Sequence, residues 1–202
     1  MLDGMMRGVI DAPMNRGGRW LAALGASANG VTLVGLGLGL MAAAVLAFGG
    51  SGLPALALIL AGRLADGLDG AVARATGKSD FGGYLDITCD FAFYGSIPLA
   101  FVLRDPSMNG VAGAFLLASF YLNGASFLGY AILAAKRGME TAARGDKSLY
   151  FTAGLMEGTE TILWFLTMAL WPVWFATMAW VFGGLCLITA VARILLARRV
   201  FG

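Results

Sequence analysis

DGLDGAVARATGKSDFGGYLDITCD, residues 66–90, sets five aspartates, four of them at the ends of hydrophobic runs, in a chain that is otherwise strongly apolar. Asp66 and Asp69 close one hydrophobic run, and Asp86 and Asp90 open the next. Residues three or four apart share a face of a helix. The stretch between the pairs is short, which predicts antiparallel neighbouring helices with all four carboxylates converging at one membrane boundary. Unpaired carboxylates that close repel one another, and a divalent cation relieves the repulsion. Oxygen donors alone suit Mg2+ or Mn2+, and Ca2+ less selectively. Four carboxylates are enough for two ions, and paired metals clamp phosphate oxygens during a displacement.

The flanking residues fit a phosphate-bearing ligand. Gly67 and Gly70 bare one helix face, so a bulky group can approach the backbone. Glycine inside a helix costs about 1 kcal/mol relative to alanine, so it calls for a reason. Arg74 and Lys78, in an expected loop over 74–80, add positive charge, and Gly82 and Gly83 loosen the start of the following helix. The structural alternative is that the aspartates pair with arginines such as Arg63 and Arg74, and that the glycines only pack helices. Ionisable residues at membrane depth are functional candidates by default, and four of them in this spacing favour a site.

The rest of the chain reads as membrane protein. Of its 202 residues 59% are hydrophobic and 13% charged, with a mean hydropathy of +0.79, against about 25% charged in ordinary soluble domains. Thirty glycines fit closely packed membrane helices. A net charge of +2 is too small to point to nucleic acid as a partner. There is no histidine, which excludes Ser-His and Cys-His catalysis and imidazole-bound zinc. Cys89 and Cys186 lie in separate apolar runs without CxxC spacing and read as buried thiols. No cleavable leader is expected, because Asp3, Arg7, Asp11 and Arg16 precede any long apolar run.

A span needs about 20 mostly apolar residues. The pattern predicts an all-α polytopic membrane protein with six transmembrane helices, near 31–49, 53–72, 86–103, 110–135, 149–171 and 174–196. Pro54 suits a first helical turn. Residues 1–25 mix Met5, Met6, Val9, Ile10, Trp20 and Leu21 with Arg7, Arg16 and Arg19, the pattern of a juxtamembrane amphipathic helix. No repeat or linker divides the chain, so 1–202 is expected to be one domain. With six spans both termini share a side, and all 14 basic residues except Arg104 fall on or towards it. The basic side is cytoplasmic, so the termini and the aspartates are expected at the cytoplasmic face of a cell inner or plasma membrane.

The spacing Asp66-x2-Asp69-Gly70-x2-Ala73-Arg74-x7-Gly82-x3-Asp86-x3-Asp90 resembles the signature of the CDP-alcohol phosphotransferase (CDP-alcohol phosphatidyltransferase) family. Every fixed position is present, and the gap of seven is the shorter of the usual lengths. The six-span layout extends the likeness loosely over the chain. The resemblance implies an enzyme that moves a substituted phosphate from a CDP-linked donor, usually CDP-diacylglycerol, to an alcohol with release of CMP. It also implies a homodimer with two Mg2+ or Mn2+ ions per active site. By that resemblance Asp66, Asp69 and Asp86 are metal ligands, and Asp90 contacts metal and deprotonates the acceptor hydroxyl. Gly70, Ala73 and Arg74, with Asp66, hold the cytidine diphosphate, and Ser79 matches a donor-contacting position. Asn29-Gly30-Val31-Thr32 resembles the family's Asn-x-x-Thr, so Asn29 and Thr32 touch the nucleotide. From the residues alone these two read as helix-start caps.

Several secondary features concern the acceptor. Lys136, Arg137, Arg144 and Lys147 crowd one loop, which positive-inside topology explains and which would also attract a phosphorylated acceptor. Glycerol 3-phosphate, inositol phosphate, inositol and serine are all candidate acceptors, a polyol or polyol phosphate being favoured. Glu157 and Glu160 either pair with an arginine, Arg63 or Arg193, or shape the acceptor pocket. Asn123, Ser126 and Tyr130 read as interhelical hydrogen-bonding residues. Trp164, Trp171, Trp174 and Trp180 read as interface anchors. Two other functions compete. A divalent-cation transporter would carry its site near the midplane between broken helices, whereas these aspartates gather at one edge. A non-catalytic scaffold has no need of four unpaired charges.

Overall fold

A computed structural model describes residues 2–139, 156 and 158–202, with backbone alone for 2–10. These residues are helical throughout, with no strand among them: α1 (Leu2–Ala23), α2 (Ala28–Ala47), α3 (Gly52–Thr76), α4 (Asp80–Arg104), α5 (Pro106–Lys136), α6 (Gly158–Leu170) and α7 (Phe175–Phe201), the last preceded by a 3-10 turn over Pro172–Trp174. The segment expected to be amphipathic is α1.

Local chemistry sets the ends. Ser27, in extended backbone, accepts from Gly30 N and opens α2. Ser79 does the same for α4 through Gly82 N. Asp105 caps α5 by accepting from Met108 N, with Pro106 in the first turn. Gly77 follows α3 at φ +112°, a conformation that penalises any side chain. Two expectations are corrected here. The cap of α2 is Ser27, not Asn29 or Thr32. The 74–80 loop shrinks to residues 77–79, because α3 runs on to Thr76 and α4 begins at Asp80, so Arg74 belongs to the last turn of α3.

Among the described residues, four segments are long and apolar enough to cross a bilayer: α2, α4, α5 and Pro172–Phe201. α3 has 25 residues, about 37 Å at 1.5 Å per residue. Its apolar run is interrupted by Arg63, Asp66 and Asp69. The described part of α6 has 13 residues, and 149–155 lie outside the described residues. Large apolar side chains face outward along the helices, among them Phe48, Tyr121 and Val173, as expected where lipid is the solvent.

α2 is the central element. It packs against both α3 and α4, while α1 lies on α3, α5 on α4, and α7 on α5. Two glycines four residues apart make this possible. A Cβ on Gly35 would stand 3.1 Å from the Gly62 carbonyl of α3, and one on Gly39 would stand 2.5 Å from the Phe93 ring of α4. Small residues thus let α2 sit tightly against both neighbours. α3 and α4 are neighbours as expected, meeting through the side chains of Asp66, Asp69 and Asp86 and the Arg63–Asp90 ion pair, with α2 packed beside both.

The apolar core lies at the other end of the bundle. Phe93, Phe101, Phe165, Phe175 and Phe182 are fully buried there with Leu46, Ile59, Ile97 and Leu116. Phe101 stacks on Phe175 with ring centres 4.4 Å apart. Trp164 stacks on Phe182 at 5.3 Å and packs against this core, so it is not a simple interface anchor. Trp171 and Trp174 are exposed.

Candidate active site

Asp66 and Asp69 leave α3 on one face, about three and two turns before its end, and Asp86 comes from the first turns of α4. One carboxylate oxygen from each of these three residues lies within 4.8 Å of the other two. Asp69 is buried, and Asp66 and Asp86 are half-buried. The Thr32 hydroxyl, carried in by α2, donates to Asp69 Oδ2 at 2.5 Å. The close approach of α2 and α3 at Gly35 and Gly62 puts Thr32 within that reach.

Asp90 is held differently. Arg63 Nη1 donates to Asp90 Oδ1 at 2.6 Å and lies 3.4 Å from Asp66 Oδ1. The guanidinium also sits 4.2 Å over the Phe93 ring. Three carboxylates converge as expected, while the fourth turns towards an arginine. The expectation of four unpaired charges is corrected, because Arg63 pairs with two of them. Arg74 instead points its Nε and Nη2 at Asn15 Oδ1 of α1, at 3.1 and 2.9 Å.

The remaining expected residues surround this centre. Gly70 leaves open backbone beside the Arg74 guanidinium. Ala73 lies one position before Arg74 on the same helix. Asn29 reaches the first turn of α4 next to Gly82, where the Ser79 hydroxyl is engaged as the helix cap. Gly82 and Gly83 are part of that ordered first turn.

A cavity of about 660 Å³ opens beside Asp90, between α4, α5, α6 and α7. Phe91, Tyr94 and Phe120 make it largely apolar, with Asn123 and Arg193 at its polar end. Arg193 donates to the Asn123 carbonyl, Asn123 Oδ1 and Ser126 Oγ at 3.1, 2.9 and 2.8 Å. This bears out the interhelical role of Asn123 and Ser126. Tyr130 packs edge-on against Phe201. The described cavity lining includes neither Lys136 nor Arg137. Lys136 is exposed at the end of α5. Arg137 donates to the Val200 and Phe201 carbonyls and closes the end of α7. Lys147, Arg144 and Glu157 lie outside the described residues.

Arg63, three before Asp66 and on the same face, pairs with Asp66 and Asp90 as the structural alternative expected. One site residue escaped the sequence reading. Asn15 meets Arg74 from 59 residues away, and no local pattern announces that contact.

The donor set fits a divalent cation, since three hard carboxylate oxygens meet within reach of one ion. Comparison with known proteins agrees. The residue pattern of the CDP-alcohol phosphatidyltransferase family matches residues 26–195. The chain is 45% identical to the inner membrane protein YnjF of Escherichia coli strain K12 over 194 residues, covering 96% of this chain and 94% of that one. It is 41% identical over 86 residues to the archaetidylinositol phosphate synthase of Pyrococcus horikoshii, covering 42% and 45% of the two chains. Its fold is similar to that of the phosphatidylinositol phosphate synthase PgsA1 of Mycobacterium tuberculosis, solved with CDP-DAG bound, with a TM-score of 0.67 at 23% identity over 90% of this chain and 92% of that one. That protein has also been solved with manganese and citrate. At this identity the structural likeness is one of fold, while the matched pattern spans most of the chain and contains all four aspartates. The chain therefore belongs to the CDP-alcohol phosphatidyltransferase family, as an integral-membrane transferase of phospholipid synthesis.

Proposed function

We propose that the protein transfers a substituted phosphate from CDP-diacylglycerol to a polyol or polyol phosphate and releases CMP. The observation that carries this reading is the meeting of the Asp66, Asp69 and Asp86 carboxylates within 4.8 Å, with Asp90 lining the neighbouring cavity. Asp66, Asp69 and Asp86 would hold one Mg2+ or Mn2+, and Asp90 would join Asp66 at a second. When bound, the ions neutralise the diphosphate and the charge on departing CMP.

The chain's own residues do the rest. Asp90 takes the proton of the acceptor hydroxyl as its oxygen bonds to phosphorus and the bond to the CMP oxygen breaks. Thr32 fixes Asp69 by its hydrogen bond. Asn29, Thr32, Asp66, Gly70, Ala73 and Arg74 hold the cytidine diphosphate, with Asn15 orienting the Arg74 guanidinium. Ser79 lies at the edge of this nucleotide pocket. Of Lys136, Arg137, Lys147 and Glu157, Lys147 and Glu157 would serve the acceptor side, since Arg137 is engaged at the end of α7 and Lys136 is absent from the cavity lining. Similarity to synthases named for inositol-phosphate lipids supports a phosphorylated polyol, glycerol 3-phosphate and inositol phosphate being the leading choices.

We propose further that the chain is one membrane domain of six spans, α2 to α7, and works as a homodimer. The basic ends of α3, α5 and α7, against Arg104 alone at the opposite end, support cytoplasmic termini and a cytoplasmic active site. Detergent-purified protein, CDP-diacylglycerol and Mn2+ with a panel of alcohols test the function. The expected result is CMP release that requires a polyol or its phosphate. Release independent of any acceptor, or none with every acceptor, would refute the reading.

A further inference from the structure

Arg63 has no place in the family signature, yet it touches the centre more directly than any other cation among the described residues. It joins two helices: Nη1 lies 2.6 Å from Asp90 on α4 and 3.4 Å from Asp66 on its own helix. Phe93 backs the guanidinium at 4.2 Å. Its Nε is buried without a hydrogen-bond partner. An arginine fastening a structure presents its fork, two parallel N–H bonds to one carboxylate. Here one nitrogen serves two carboxylates and Nε serves none. The geometry is that of a point charge set between two anions, the place that a cation would take.

Asp66 is shared between the two arrangements. It belongs to the three-oxygen cluster and to the Arg63 bridge. An ion on Asp66, Asp69 and Asp86 leaves the Arg63–Asp90 bond intact. A second ion joining Asp66 and Asp90 must meet a guanidinium already there, and like charges at that distance repel.

We propose that Arg63 is a resident counter-charge at the Asp66–Asp90 edge, which a second divalent cation occupies only by displacing the guanidinium. The inference rests on the metal-centre reading above. The protein then takes up its ions in two unequal steps. Between them Arg63 acts as a positioning residue that keeps Asp90 turned into the site.

The test counts bound Mn2+ by calorimetry and electron paramagnetic resonance on the detergent-purified full chain, with no turnover involved. Wild type is expected to bind one Mn2+ tightly and a second at least about tenfold more weakly. Arg63→Gln removes the charge, and its second step is expected to tighten by about tenfold. Arg63→Lys keeps a point charge and is expected to behave as wild type. Two equal steps in wild type, or an unchanged second step in Arg63→Gln, would overturn the proposal and show a purely structural arginine. Should Arg63→Gln fail to fold, the wild-type isotherm decides alone. Mn2+ binding that Asp69→Asn leaves unweakened would overturn the metal-centre reading itself, and this inference with it.

Discussion

The two ends of the helix bundle are built on opposite rules. At the end holding Phe101, Phe175 and Phe182, side chains fill the buried space with aromatic rings and other apolar groups. At the other end, carboxylates from α3 and α4 face one another, with α2 reaching in by Thr32 and α1 by Asn15. The first end closes the structure. The second holds charge that Arg63 only partly compensates. α2 serves both: Gly35 and Gly39 let it press on α3 and α4, so the packed end fixes the spacing at the charged end. The difference teaches that the aromatic core sets the distance across which the aspartates meet.

Substitutions confined to one end should therefore separate stability from chemistry. Phe101→Ala removes the ring stacked on Phe175 and is expected to cost about 3 kcal/mol of stability. The readout is thermal unfolding in detergent, with turnover per folded molecule near wild type. An equally large loss of turnover would break the division between the ends. Thr32→Val removes the hydrogen bond to Asp69. Bonds to charged groups contribute about 1.5–3 kcal/mol, so Mn2+ affinity should fall by about tenfold or more while the melting temperature moves little.

Asn15→Ala frees the Arg74 guanidinium from α1. A single hydrogen-bond partner contributes about 0.5–1.5 kcal/mol, so the KM for CDP-lipid should rise several-fold with kcat kept. A change confined to kcat would instead tie α1 to the chemistry. The smallest effect belongs to Asp105, far from the carboxylate cluster. The Ser107 hydroxyl and Met108 N–H hold its carboxyl below the ordinary 3.8. A depressed pKa gives stability that is present above 3.8 and lost as pH falls through the lowered value. Asp105→Ala should lower the melting temperature slightly at neutral pH, and the gap should narrow only in strong acid.

The charged end was largely legible in sequence, because i,i+3 and i,i+4 spacing reports which residues share a helix face. That logic paired Asp66 with Asp69 and Asp86 with Asp90, and it contained Arg63 as well. It could not say that α2 would sit beside both α3 and α4, since Gly35 and Gly39 carry no label for their partners. Nor could it distinguish Ser27 from Asn29 as the cap of α2, because both residue types cap helices. The apolar run of the second span ends near residue 72, which places Arg74 in a loop by pattern, whereas the helix runs on to Thr76. Asn15 and Arg74 meet only once α1 folds onto α3, a tertiary event outside any local pattern. The aromatic end was legible as apolar runs but not as ring pairs.

The most direct test of the central claim, that the converged carboxylates are the phosphoryl-transfer site, is acceptor-dependent CMP release by wild type beside Asp69→Asn and Asp86→Asn. All three proteins are first checked for equal thermal unfolding in detergent. The account predicts a loss of about 100-fold or more in both variants, the scale on which a group acting at the reacting centre contributes. Release at wild-type rates from either well-folded variant would contradict it.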